Sequence, residues 1–299
     1  MAEQKALSPV QKLNATTLSV QKQIDEYCKA GKLNIPANYS VGNALKQFQL
    51  KVQDDEKLMA CTTASLAKAM LDMCVLGLNI SKTQCYCIPY ANKAQLSISY
   101  LGKVAICKRI DPTISDIFGR VVKEGEEFDF EDELEGYSKI LKHKRTLESL
   151  GSKNILAAYA TVVYNDGKPN RSMIMTFDRI KKSWEMSKTN PIDQNGNVKP
   201  GSTHGKYTED MAIRTVIAAI CKPIIATSSD MDLFGATVQS ANLNEAKAEA
   251  DAEASEKMGS GDVIDFDVDY TEVTPDPEHV DKETGEILPG AIDNNNQMV

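Results

Sequence analysis

Several signatures of common protein classes are missing from this 299-residue chain. Its seven cysteines include no Cys-x-x-Cys pair, and none of its three histidines has metal-ligand spacing to a cysteine or to another histidine. Neither a zinc site nor a disulfide framework is therefore indicated. No stretch approaches the roughly 18 consecutive apolar residues of a membrane-spanning helix, and the N-terminus has no apolar run long enough for a signal peptide. We expect a cytoplasmic protein with no membrane partner.

Motifs for nucleotide hydrolysis and nucleophilic catalysis are missing as well. The stretch 196–203 has the glycine spacing of a phosphate loop, but Ser202 stands where the lysine is required and no apolar strand leads into it. No Gly-x-Ser-x-Gly elbow occurs. The sequence thus predicts a protein that is not an enzyme.

Charge is distributed very unevenly. The net charge of the chain is -8, yet residues 242–299 contain 16 acidic and 3 basic residues, whereas the preceding 241 contain 31 basic and 26 acidic ones. The tail is rich in Ala, Glu, Asp, Ser and Gly, a composition typical of disorder. A basic body beside an acidic tail indicates a polyanionic partner for the body, with the tail as an interaction arm for another protein or as a mimic of that polyanion.

Hydrophobic patterning divides the chain into three parts. Residues 1–40 read as a mobile arm, residues 41–240 as a core and residues 241–299 as a disordered acidic tail. Within the core, the 3.6-residue period predicts helices over 41–52, 58–76, 178–187 and 207–222, and a further helix after Gly102. Alternation predicts hairpins from 84–89 with 95–100 and from 156–164 with 171–177, and a strand over 117–123. The fold class is therefore α+β, with a small antiparallel sheet packed against helices.

An acid run over 124–135 allows a second interpretation of the chemistry. Paired carboxylates can bind Mg²⁺, which would make the chain an Mg²⁺-dependent nuclease acting on DNA. Clustered acids on a surface loop are more often simply solvated. Mg²⁺ could assist DNA binding, but nothing in the sequence requires any cofactor or metal.

Basic and aromatic residues are interleaved throughout the core. Phosphate neutralisation combined with base stacking holds single strands without reading their sequence, so the set predicts a nucleic-acid interface. Taken singly, each lysine is better explained as an ordinary surface residue and each aromatic as core, and Lys108 with Arg109 as a favourable charge at a helix C-terminus; only the ensemble favours binding. The basic residues are Lys103, Lys108, Arg109, Arg120, Lys123, Lys142, Lys144, Arg145, Lys181, Lys182, Lys188, Lys206, Arg214 and Lys222, with Tyr86, Tyr90, Tyr100, Tyr137 and Trp184 among them.

The order of several motifs resembles the RecT family of phage-type single-strand annealing proteins. They are CVLGLNI at 74–80, YCIPY at 86–90, QLSISYLGKVAICKR at 95–109, GRVVKEGEEFDFE at 119–131, KHKR at 142–145, MTFDRI with SK at 175–188, and DMAIRTVIAAICKPI at 210–225. The resemblance implies an annealing-protein-like core and an ATP-independent protein of homologous recombination and DNA repair. Such a protein binds single-stranded DNA, anneals it to a complementary strand, and assembles as a homo-oligomeric ring or helical filament on DNA. A structural phage protein that only oligomerises is a third alternative.

The resemblance also assigns residues. Tyr100, Gly102, Lys108 and Arg109 match the family's aromatic and basic run, and basic positions further on are matched by Arg120, Lys123, His143, Lys144, Lys188, Arg214 and Lys222. Departures occur at Leu101, where arginine is usual, at Ile213, which replaces a lysine, and at Ala218 with Ala219, which replace two arginines. The implied partners are single-stranded DNA, the annealed duplex, and an exonuclease or a host single-strand-binding protein that the tail would recruit.

Overall fold

A computed structural model describes residues 7–133, 136–187, 190–228 and 237. The chain divides into two compact units, the first comprising residues up to Ser97 and the second beginning at Ile98. Helices and antiparallel strands build both, which confirms the α+β class. Among the described residues, no helix is both long and apolar enough to span a membrane. The predicted acidic tail lies outside the described residues.

The first unit is helical, with one hairpin. Its elements are α1 (Pro9–Lys29), α2 (Val41–Gln53), α3 (Glu56–Met59), α4 (Thr63–Val75), a 3₁₀ turn (Ile80–Lys82), β1 (Cys85–Tyr90) and β2 (Lys93–Ile98). The predicted helix over 58–76 is interrupted because Thr62 caps α4, its hydroxyl accepting a hydrogen bond from the amide of Ser65. Gly77, with φ of +66°, follows the C-cap of α4, so the helix ends within one residue of the predicted range.

We predicted a mobile arm over residues 1–40, and the structure differs from this expectation over residues 9–29. Those residues form α1, which begins at a capping box between Ser8 and Gln11 and packs against α2 and α4. Leu13, Val20 and Ile24 of α1 are each at most 3% exposed. The apolar residues of this segment recur at helical spacing, and burying that stripe orders the segment.

The second unit contains a five-stranded sheet and most of the predicted site. Its elements are α5 (Tyr100–Ile110), β3 (Ile114–Lys123), β4 (Glu127–Asp132), β5 (Ser138–Lys144), α6 (Leu147–Gly151), β6 (Ile155–Tyr164), β7 (Arg171–Thr176), α7 (Phe177–Glu185), α8 (Thr203–Lys206) and α9 (Thr208–Ala226). The strand order is β3-β6-β7-β5-β4, and every pairing is antiparallel. The β6–β7 hairpin and α9 confirm the predicted elements within one to four residues.

Helices α5, α7 and α9 pack against this sheet. Gly119 of β3 marks the face that receives α9, because a Cβ at this position would lie 3.1 Å from side-chain carbons of both Ile213 and Ile217. The missing side chain therefore lets α9 approach the strand closely. Alternation along β3 then directs Phe118 and Arg120 to the opposite face.

Strands β4 and β5 were not predicted. We interpreted the acid run over 124–135 as solvated charge or a Mg²⁺ site, and the KHKR motif at 142–145 as part of the nucleic-acid interface, yet the strands of these two segments pair as a hairpin. Glu127 lies opposite Lys144, Asp129 opposite Lys142 and Glu131 opposite Lys139, so three of the four acids of β4 face a lysine of β5. Opposite charges directly across an antiparallel pair favour the pairing.

Candidate nucleic-acid interface

Helices α5 and α9 run side by side in the same direction. The guanidinium carbon of Arg214 lies 5.5 Å from the centroid of the Tyr100 ring, and seven residues further along both helices the Cys107 thiol lies 3.8 Å from the carbonyl oxygen of Cys221. Ser99 caps α5 by accepting a hydrogen bond from the amide of Gly102. The helices are therefore fixed at two points, and the Tyr100–Arg214 pair is held at the N-terminal end of α5.

We call the surface formed by Tyr100, Lys103, Arg214 and Lys222 the α5–α9 surface. Arg214 and Lys222 are exposed and lie eight residues apart on α9, close to two helical turns, whereas Tyr100 and Lys103 are half-buried. An aromatic ring stacked with a guanidinium, beside further cations, offers both a stacking platform and phosphate ligands.

The two basic residues at the end of α5 are separated from this surface. Arg109 follows Tyr100 by nine residues, which places it half a turn away around the helix. Lys108 forms an ion pair with Asp116 of β3 at 3.1 Å. Part of the predicted basic run is thus already neutralised or faces elsewhere.

The cations of the β4–β5 hairpin are also matched by carboxylates. Lys142 contacts Glu127 at 2.6 Å, and the hydrogen bond from Lys142, with Lys144 close by, lowers the pKa of the Glu127 carboxyl. Arg145 contacts Glu126 at 3.1 Å. The predicted patch therefore presents a much weaker positive field than its sequence indicates.

His143 lies inside the fold instead of on a DNA-facing surface. Its side chain is 5% exposed, with Nε2 2.9 Å from Glu126 Oε2 and Nδ1 3.0 Å from the hydroxyl of Tyr159. Burial raises the pKa of the Glu126 carboxyl, but hydrogen bonds from the amide of Lys123, from His143 and from Arg145 outweigh it, and the pKa is lowered. His143 was predicted to contact DNA, but its contacts show that it positions the β4–β5 hairpin instead.

Lys123 is likewise internal. Its side chain is 5% exposed, forms an ion pair with Glu209 of α9 at 2.7 Å and donates to the carbonyl oxygen of Leu150 at 2.8 Å. The lysine therefore ties the end of β3 to the first turn of α9 and to α6. It is not available to a phosphate group.

Trp184, the only tryptophan of the chain, belongs to the core. It is 3% exposed, its indole Nε1 donates to the hydroxyl of Thr215 at 2.8 Å, and its ring lies 4.7 Å from that of His204, whose pKa is lowered by burial. This placement corrects the predicted base-stacking role. In the sequence, a tryptophan among lysines on a helix is compatible with both base stacking and packing in the core, and no signal distinguished these two roles.

The remaining predicted residues are dispersed. Lys181 is paired with Asp178 at 2.9 Å, while Lys182 and Lys206 are exposed on α7 and α8. Arg120 is exposed, with its guanidinium carbon 5.8 Å from the Phe118 ring centroid, on the face of β3 opposite α9. Lys188 lies outside the described residues.

Two acidic residues that hold predicted cations in place were not identified from the sequence. Glu126, fully buried on its side chain, holds His143 and Arg145, and Glu209 holds Lys123. Glu126 was grouped with the acid run, and only its contacts distinguish it. Among the described residues, no cluster of three or more His, Cys, Asp or Glu side chains could hold a metal ion.

Comparison with known proteins places these observations in a family. A sequence model described as "RecT family" matches residues 42–257. Protein RecT of Escherichia coli (strain K12) is 26% identical over 198 residues, which cover 63% of this chain and 68% of that protein. The matched segment contains α5, α9 and the whole five-stranded sheet.

Proposed function

The chain belongs to the RecT family, whose members are single-strand annealing proteins of DNA recombination, and from this membership we propose that it binds single-stranded DNA through the α5–α9 surface and anneals complementary strands without ATP. The observation that carries the proposal is the Tyr100–Arg214 pair with exposed Lys222 on the same helix. No acidic side chain of the described chain forms an ion pair with Arg214 or Lys222. These cations are therefore available to phosphate oxygens.

The surface supports a simple mechanism. Arg214, Lys222 and Lys103 neutralise successive phosphates, and release of condensed counterions supplies most of the binding free energy. Tyr100 stacks against a base while the other base edges stay exposed for pairing. Annealing then needs no nucleotide hydrolysis, since base pairing itself is downhill once two strands are held open.

The stretch 196–203, which has the glycine spacing of a phosphate loop, supports a mechanism without ATP through its local geometry. Residues 193–197 form a tight turn in which a carboxylate oxygen of Asp193 accepts hydrogen bonds from the amides of Asn195 and Asn197. The helix that follows, α8, has only four residues. A phosphate loop needs amides directed at an anion and a longer helix behind them, whereas this loop uses its amides on its own carboxylate.

The assembly and the partners extend the proposal. We expect homo-oligomeric rings or filaments on DNA in the cytoplasm of a bacterial host, with DNA repair and recombination as the process. The net charge of -13 over residues 242–299 disfavours DNA contact there, so the tail would recruit an exonuclease or a single-strand-binding protein. A chain lacking residues 241–299 should anneal normally in vitro, and loss of annealing would contradict this assignment.

The experiment measures annealing of labelled complementary oligonucleotides without ATP, together with binding of one strand at several salt concentrations. In a variant carrying both Arg214→Gln and Lys222→Gln, the slope of log affinity against log salt should fall in magnitude by about 1.4, because each lost phosphate contact contributes about 0.7 for single strands. Annealing should slow accordingly.

Lys144→Gln is the matched control. Lys144 is exposed like Lys222 but lies opposite Glu127, so its removal should leave the salt slope unchanged. An unchanged slope in the double variant, or an equal change in the control, would refute the α5–α9 surface. Shortened strands in the presence of Mg²⁺ would indicate a nuclease instead.

A further inference from the structure

Helix α6 exposes its leucines and buries its serine. Leu147 is 91% exposed and Leu150 45%, whereas Ser149 between them is 3% exposed. Leu156, at the start of β6, is 51% exposed, and we call these three residues the leucine knob. A helix on the surface of an isolated domain normally has the reverse arrangement.

Local hydrogen bonds fix this inverted arrangement. Thr146 and Ser149 form a capping box, the Thr146 hydroxyl accepting from the amide of Ser149 and the Ser149 hydroxyl accepting from the amide of Thr146. The carbonyl oxygen of Leu150 is held by Lys123. The short helix cannot rotate to bury Leu147 without breaking these bonds, so the knob is a fixed feature of the surface.

The chain also carries an open surface cavity of about 260 Å³ beside the N-terminus of α1, lined about equally by apolar and polar atoms. Leu7, Pro9, Leu13, Met59 and Leu66 line it, together with Lys12 and the N-terminal threonines of α4. By volume alone, a cavity of roughly 150 Å³ is enough for a molecule of benzene, so this one has room for a leucine side chain.

Charges beside the two features are complementary. Glu148 is exposed next to Leu147, and Lys12 is exposed at the cavity. In the part of the chain that the structure describes, neither side chain forms an ion pair. A leucine entering the cavity would bring a carboxylate towards an ammonium.

We propose that Leu147 of one copy of this chain inserts into the cavity of a second copy, with Glu148 of the first facing Lys12 of the second. Knob and cavity are different surfaces, so the contact is heterologous and repeats from copy to copy, which generates a ring when it closes and a filament when it does not. The inference rests on the proposed self-assembly and names the contact that produces it.

The test compares the assembly of the full chain without DNA by sedimentation velocity. Leu147→Ser should weaken self-association roughly 10- to 150-fold per contact, the loss expected when one leucine is no longer buried. Because Leu147 is almost fully exposed within one copy, this substitution leaves the fold intact. Leu50→Ser, at a 41% exposed leucine of α2, is the matched control and should assemble normally.

A charge exchange tests the cavity itself. Lys12→Glu and Glu148→Lys should each weaken assembly, and the chain carrying both should recover most of the loss, because the pair is restored with opposite signs. If each single substitution weakens assembly but the chain carrying both does not recover, the cavity receives another partner, such as the acidic tail. That result would overturn the proposal. Normal assembly of Leu147→Ser would overturn it too.

Failure of this contact can be distinguished from failure of the proposed function. Leu147→Ser should still bind an oligonucleotide short enough for one copy with the affinity of the unchanged chain, since the α5–α9 surface is untouched. If the unchanged chain does not bind this oligonucleotide, the proposed function is contradicted. The sedimentation measurements still test the contact between Leu147 and the cavity.

Discussion

Replacing Lys123 separates a structural role from a DNA-binding role. The sequence predicted a phosphate contact, whereas the structure buries the ammonium between Glu209 Oε1 at 2.7 Å and the Leu150 carbonyl oxygen at 2.8 Å. The two partners of the ion pair differ in exposure, 5% for the lysine side chain and 49% for Glu209. Removing one partner should therefore have a different cost from removing the other.

The magnitudes follow from what each substitution leaves behind. Glu209→Ala leaves a buried ammonium without its counterion, which typically costs about 3–5 kcal/mol in the free energy of unfolding. Lys123→Met leaves a half-exposed carboxylate that water can solvate and one unsatisfied carbonyl group, at about 1–3 kcal/mol. Asp210→Ala, in the same first turn of α9, isolates the helix-dipole contribution and should cost only about 0.3–1 kcal/mol.

Urea unfolding measures the order of these losses, and oligonucleotide binding at several salt concentrations measures the contact. Under conditions where Lys123→Met is folded, its salt slope should equal that of the unchanged chain. A slope lower by about 0.7 with unchanged stability would show that Lys123 contacts phosphate and would refute the anchoring role. Equal losses for Lys123→Met and Glu209→Ala would refute the argument from exposure.

Three further predictions concern single positions. Burial raises the pKa of the Asp72 carboxyl from 3.8 to about 6, so the stability that its protonation contributes is full below pH 3.8 and is lost as the pH rises through 6. Between pH 5 and pH 7.5, the free energy of unfolding of Asp72→Asn should therefore fall by roughly 1 kcal/mol less than that of the unchanged chain. Gly119→Ala should destabilise by about 1–3 kcal/mol in chemical denaturation, because its Cβ would meet Ile213 and Ile217 at 3.1 Å; an unaffected midpoint would show that α9 shifts freely. Trp184 fluorescence should be little quenched by an added oligonucleotide, since the ring is buried, and strong quenching on binding would restore the stacking role.

Hydrophobic period predicted most elements of the matched segment. The end of α4 at Gly77, the β6–β7 hairpin and α9 depend on neighbours within a few residues, so their patterns are readable locally. The β4–β5 hairpin was missed because its strands are charged. The signal for this hairpin lies in two segments together, because acids of one segment face lysines of the other. Neither segment shows this pattern by itself.

For the candidate site, too, some properties could be predicted from the sequence and others depended on contacts made in the folded chain. The sequence alone determined the family, the α+β class and the uneven charge, because these depend on composition and on motif order. Only the tertiary structure showed that Lys123, Lys142 and Arg145 are matched by carboxylates distant in sequence, whereas Arg214 and Lys222 form no ion pair with any residue that the structure describes. Residue type fixes the charge of a side chain, but its net field depends on the opposite charges that folding brings beside it.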